Sequence, residues 1–318
     1  MNADGVVLGT ALPGKAAPGS AGNEQRSRAA SGRAGKLLSV LRKAAQRALG
    51  GGLAGALAMV AQVLLLMWLR TTMNYQYSKG LGTLDAMREL YAEGGVPRFY
   101  RGLWAALLAA PLSRFGDTAA NAGTLALLED VPWLSEGFKT FFASCAAALF
   151  RILITPIDTI KTILQVQGAV GMAVLSSRIA QEGFLTLYSG ALANSLATLL
   201  GHYPWFLTNN WLESTVPRTT GAANQLRSAG IGFVCSAVSD VASNSVRVVK
   251  TYKQTAEVSA SYIGAAMAIV EADGLSGLFL RGLGTKVLTN GISAMLFTIL
   301  WKEIEKGLAA RRSKAKAQ

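Results

Sequence analysis

The sequence predicts an all-α membrane protein: six transmembrane helices in three pseudo-symmetric two-helix repeats, with short surface helices inside each repeat. Three observations carry that prediction. The 318 residues are 51% hydrophobic and only 15% charged, an apolar excess beyond the balance of ordinary soluble domains. Polar residues recur at three- and four-residue steps inside the long apolar stretches, which gathers them on one face of each helix. The apolar stretches also come in similar units, because Gln76, Gln165 and Gln254 each end one of them at intervals of 89 residues.

Each unit continues in the same way. After the glutamine come a short loop, an amphipathic stretch and an acid followed by glycine: Glu93-Gly94, Glu182-Gly183 and Asp273-Gly274. Phe99-Tyr100-Arg101-Gly102, Tyr188-Ser189-Gly190 and Phe279-Leu280-Arg281-Gly282 then open a second apolar stretch. The six predicted spans are 50–76, 103–129, 138–166, 190–213, 227–254 and 283–307, each long enough for a hydrocarbon core of about 30 Å. Segments 83–93, 173–182 and 262–273 are shorter and polar enough to lie at a membrane surface. The repeats therefore occupy 49–132, 133–220 and 221–308. A soluble helical solenoid would need polar outer faces, which these segments lack.

The ends are basic. Residues 1–50 carry eight bases against two acids, and 309–318 form a basic tail with Arg311, Arg312, Lys314 and Lys316. Residues 1–48 are an N-terminal extension, rich in Gly, Ala and Ser up to about Arg33 and expected to be disordered there. The stretch 36–49 has the pattern of a basic amphipathic helix, which fits an organelle import signal and equally a solvated basic arm. Neither end interleaves aromatic residues with its bases, so no nucleic-acid partner is expected despite the net charge of +13. Anionic lipid headgroups are the expected partner. Cys145 and Cys235 sit in apolar stretches and read as small buried hydrophobes. One histidine, His202, cannot assemble a His-based metal site, and no nucleophilic triad or phosphate loop is spaced plausibly. An enzyme, a metal and a prosthetic cofactor are not expected.

Ionisable groups at membrane depth usually face a cavity or a partner. The third span aligns Ser144, Arg151, Thr155, Asp158, Thr162 and Gln165; the fifth aligns Ser236, Asp240, Ser243, Arg247, Lys250 and Gln254. Arg114, Asp117 and Asn121 mark the second span, Thr198, His202 and Asn209 the fourth, and Lys286, Asn290 and Ser293 the sixth. The first is sparser, with Gln62 and then Arg70, Thr71 and Asn74. Stripes converging in a bundle describe a hydrated interior or, alternatively, interhelical hydrogen bonds in a dry one.

These residues resemble the mitochondrial carrier family, in which each odd helix ends in Pro-x-acid-x-x-base and leads through a surface helix to acid-Gly, an aromatic and base-Gly. Pro156-Ile-Asp158-Thr-Ile-Lys161, with Gln165 following, matches the first motif. The resemblance covers about residues 50–308. It implies that the proline kinks its helix and that the acids and bases form an inter-repeat ring closing the matrix side. The other copies depart from it: Met67, Leu69 and Thr72 stand at the proline, acid and base positions of the first repeat, and Ser245, Arg247 and Lys250 at those of the third. One inter-repeat ion pair is thus available. On the even helices, Asn121-Ala122, Asn209-Asn210 and Trp301-Lys302 fall where the family's opposite gate would lie, and none matches. The family's contact points fall near Leu108–Ala109, Ala197–Thr198 and Thr289–Asn290 and are apolar or neutral.

The expected function is a solute carrier that exchanges or imports a small anionic metabolite by alternating access, because the bases assigned to the interior outnumber the acids. Arg114, Asp117, His202, Asn209, Arg247 and Asn290 are the expected binding residues. Asp158, Lys161 and Lys250 would gate, Pro156 would kink its helix, and Gln76, Gln165 and Gln254 complete the signature. The alternative is a carrier-fold protein that no longer transports and joins membrane partner proteins in a larger assembly. The resemblance implies the mitochondrial inner membrane; a plastid envelope or another organelle membrane is the alternative.

Overall fold

The computed structural model describes Gly35, Leu38, Ser39, Arg42, Val131, and residues 53–128, 133–256, 260–293 and 295–296. Apart from Gly35, Leu38, Ser39 and Arg42, the extension 1–48 lies outside these residues, as do the tail 309–318 and the far end of the sixth span, Trp301 and Lys302 included.

Every regular element among the described residues is helical, and the order repeats. The first unit is α1 (Leu53–Lys79), α2 (Thr83–Arg98) and α3 (Leu103–Leu127). The second is α4 (Glu136–Gln167), α5 (Gly171–Glu182) and α6 (Ala191–Thr215), with 3-10 turns at Gly168–Val170 and Phe184–Tyr188. The third is α7 (Gly221–Thr255), α8 (Tyr262–Leu280) and α9, helical over 283–293. Two surface helices run past their predicted ends only as kinked continuations, broken at Gly94–Gly95 and at Gly274. The α7 helix starts at Gly221 rather than at 227, since Ala222, Ala223, Gln225 and Leu226 tolerate or favour a helix.

Polarity is inverted relative to a water-soluble bundle. On α4, Leu149 and Leu153 are 66% and 69% exposed, while Ser144 and Thr155 are 1% and 0% exposed. A helix that turns leucine outward and hydroxyl inward is stable only where its outer solvent is apolar. Among the described residues four helical stretches are long and apolar enough to cross a membrane: Leu57–Lys79, Gly137–Glu182, Phe184–Thr215 and Tyr262–Ser293. The α3 and α7 helices, at 25 and 35 residues, are long enough but carry ionisable residues inside them. They place Arg114, Asp117, Arg247 and Lys250 on the interior wall, so average composition understates the apolarity of their outer faces.

The repeats interlock cyclically. Gly102, Gly190 and Gly282 all have left-handed φ of 62–89° at the entrances of α3, α6 and α9, and each presses on an odd helix of a different repeat. A Cβ on Gly102 would lie 3.0 Å from Leu164, on Gly190 3.1 Å from Lys250 Cγ, and on Gly282 2.8 Å from the Tyr77 ring. Glycine supplies both the dihedral and the missing volume. We expect Gly190→Ala to cost about 1–2 kcal/mol in thermal unfolding from the left-handed backbone alone. Gly284→Ala, on a site with nothing within 4 Å of the added carbon, should be neutral or stabilising.

Apolar packing supports the same seams. Val63 and Met67 of α1 pack on Ala106 of α3; Tyr75 packs with Ala86, Leu90, Phe99 and Val166; and Tyr77 packs with Val248 and Ile269. The α1 helix therefore touches both other repeats near its C-terminal end.

Candidate functional site

The three odd helices, α1, α4 and α7, converge on a polar layer near their C-terminal ends. Asn74 Nδ2 of α1 donates to Gln165 Oε1 of α4 at 2.6 Å, and Tyr77 Oη donates to Asn244 Oδ1 of α7 at 3.0 Å. Gln254 Nε2 of α7 donates to Thr159 Oγ1 at 2.8 Å and to the Ser189 carbonyl at 2.9 Å in the second repeat. Gln76 stays within its own repeat, donating to the Leu81 carbonyl and Thr83 Oγ1. Asp158 accepts from both Lys161, one turn along α4, and Lys250 of α7. Lys250 also donates to Asn194 Oδ1 at 3.2 Å. Pro156 lies inside α4 two residues before that aspartate, so its missing N–H leaves the Ile152 carbonyl without a helical donor.

An arginine from a neighbouring repeat caps each odd helix at this end. Arg98 donates to the Gln165 and Val166 carbonyls at 2.8 and 2.7 Å; Arg178 donates to the Gln254 carbonyl at 3.1 Å; Arg281 reaches the Tyr77 carbonyl at 3.5 Å. Cations there satisfy the free carbonyls of the last turn and oppose its partial negative charge. Arg98 and Arg281 are each neutralised by the acid of their own acid-Gly motif, Glu93 at 2.5 Å and Asp273 at 2.7 Å.

On the N-terminal side of the layer lies a cavity of about 510 Å³, walled by α1, α3, α4, α7 and α9 with Asn194 from α6. The two acids of its wall, Asp117 and Asp158, and Asp240 on α7 are engaged with bases. Arg151 pairs with Asp117 at 2.5 Å, tying α4 to α3. Asp240 takes Lys286 at 3.0 Å and Asn290 at 2.6 Å, tying α7 to α9. Gln62 donates to the Ser293 carbonyl and hydroxyl, and Arg70 to that hydroxyl at 3.3 Å, closing α1 onto α9.

Of the expected binding residues, Arg114, Asp117, Arg247 and Asn290 line this cavity. His202 and Asn209 do not; His202 stands edge-on to Phe206 with ring centroids 6.5 Å apart. Asp158, Lys161, Lys250 and Gln165 also line the cavity, whereas Gln76 and Gln254 lie below it in the layer. Arg70, Tyr77, Asn194 and Asn244 belong to the site but were not singled out as candidates. Arg70 had a visible signal, a charge within an apolar helix; the others required knowing which helices meet.

Three helix-pair units around a polar, closed-ended cavity define the architecture of a membrane carrier. A family model described as mitochondrial carrier protein matches residues 41–128 and 134–219, and the chain belongs to that family. The α7–α9 unit lies outside the matched regions, in keeping with Ser245 and Arg247 at two of its motif positions. No curated protein matches the chain. Members of the family are transporters rather than enzymes and generally sit in the mitochondrial inner membrane, so the chain is in general terms a membrane solute carrier.

Proposed function

We propose that the protein moves a small anionic metabolite by alternating access, with the solute bound in the cavity above the polar layer, across the mitochondrial inner membrane. The observation that carries this is the charge of the wall: among the described residues seven basic and two acidic side chains line the cavity. Low-dielectric walls around an excess of one sign concentrate counter-ions inside. Asp158 joins the second repeat to the third through Lys250, and its release would let the two odd helices separate at their ends. Support for a cleavable or targeting role of the extension comes from its sequence alone.

Exchange in liposomes tests this. Purified protein should catalyse saturable uptake against a preloaded anion of one class, and Lys286→Ala should reduce it at least about tenfold, since the wall then loses one of its seven bases. The second proposal, a non-transporting subunit of a membrane assembly, is favoured by one observation: Leu69 and Thr72 leave the first repeat without ions at the gate. Absence of exchange by folded protein over a broad panel of anions, with membrane proteins co-purifying, would establish it instead.

A further inference from the structure

In the gate motif of the third repeat, an arginine stands where the second repeat has Asp158. Ser243, Arg247, Lys250 and Gln254 follow at steps of four, three and four residues and share one face of α7. That face looks into the cavity, whose wall includes both Arg247 and Lys250. Arg247 donates through Nε to Ser243 Oγ at 3.2 Å, and among the described residues it has no carboxylate partner. Its two terminal nitrogens therefore remain as a fork. One turn further, Lys250 spends donors on Asp158 and Asn194, and an ammonium carries three. The gate positions thus hold Arg247, Lys250 and Lys161 against Asp158 alone.

A gate with three cations and one carboxylate is missing an acid, and a ligand can supply it. We infer that a doubly charged oxyanion, a dicarboxylate or a phosphate, binds between the Arg247 fork and the Lys250 ammonium and takes the place of the absent third-repeat carboxylate. This rests on the proposed anion carrier and deepens it: the anion sits at the floor of the cavity against the gate, not only at mid-depth. A guanidinium donates two parallel hydrogen bonds to a carboxylate or phosphate, which fixes orientation as well as charge. A monoanion can satisfy the fork or the ammonium, but a dianion can satisfy both. Binding also offers Lys250 a second anionic partner in competition with Asp158, so occupancy of the floor and release of the second repeat from the third are coupled.

The test is thermal unfolding of the purified full chain in detergent, with inorganic phosphate, malonate, acetate and chloride at matched ionic strength. Phosphate or malonate at roughly ten times its Kd should raise the midpoint by about 3 °C; acetate and chloride should not. Arg247→Gln should weaken the response at least about tenfold, and Arg247→Lys should retain part of it. Arg247→Asp supplies the missing carboxylate, so without anion it should unfold at a higher temperature than Arg247→Gln and respond to no anion. An Arg247→Gln protein with the wild-type dianion response would overturn the inference, as would equal stabilisation by acetate. If Arg247→Gln responds like wild type while wild-type liposomes exchange anions, the floor site fails and the carrier stands. An Arg247-dependent dianion response without exchange would keep the site and remove transport.

Discussion

Asp158→Asn should destabilise the folded protein by about 3 kcal/mol, the scale for removing one partner of a buried ion pair. The side chains of Asp158, Lys161 and Lys250 are 14%, 23% and 10% exposed, so water can offset little of the loss. The neutral amide leaves two ammonium groups facing each other across the second and third repeats. Thermal unfolding of the purified protein measures the effect, and a double-mutant cycle with Lys250→Gln isolates the pair. Asp158→Asn combined with Lys250→Gln should recover much of the stability, because the repulsion disappears with the second charge. A single mutant as stable as wild type would show that the bridge holds nothing together.

Arg98→Ala should cost a comparable amount, about 3 kcal/mol, for a different reason. Hydrogen bonds to charged groups contribute about 1.5–3 kcal/mol each, and Arg98 makes two to backbone carbonyls while only 4% exposed. Its removal uncaps the end of α4, takes the ion-pair partner from Glu93 and opens space beside Gly168, whose added carbon would stand 2.9 Å from the guanidinium. Arg98→Lys should not rescue it, since one ammonium cannot span both carbonyls as the planar fork does. Arg88, whose side chain is 78% exposed and 3.5 Å from Asp85, is the matched control, and its removal should be worth no more than about 0.5 kcal/mol.

Position in the motif does not predict which arginine acts as a cap. In the third repeat Arg281, next to the repeat glycine, pairs with Asp273. In the first repeat the corresponding Arg101 stands next to Gly102, yet the cap is Arg98, three residues earlier. The extra Gly95, with φ of 63°, and Pro97 re-aim the chain between Glu93 and α3. The second repeat has Ser189 beside its glycine and draws Arg178 from the surface helix α5 instead. The demand is fixed, because each odd helix ends with free carbonyls. The supplier varies, because any guanidinium within reach satisfies them.

The sequence by itself determined the fold class and the family. The 89-residue glutamine spacing, the acid-Gly and repeat-Gly motifs and the polar stripes are local or periodic features, and local features survive in a linear text. It also placed Asp158 at the acid position of the second repeat's Pro-x-acid-x-x-base motif and Arg247 at the same position of the third. The tertiary structure alone decided how charges are shared across helices. It put Asp117 on Arg151 and Asp240 on Lys286 and Asn290, left His202 and Asn209 out of the cavity wall, and made Tyr77, Asn194 and Asn244 part of the site. A stripe fixes which face a residue occupies. The partner it meets depends on the rotation and height of another helix, and those follow from packing at glycines such as Gly190, against Lys250, and Gly282, against Tyr77.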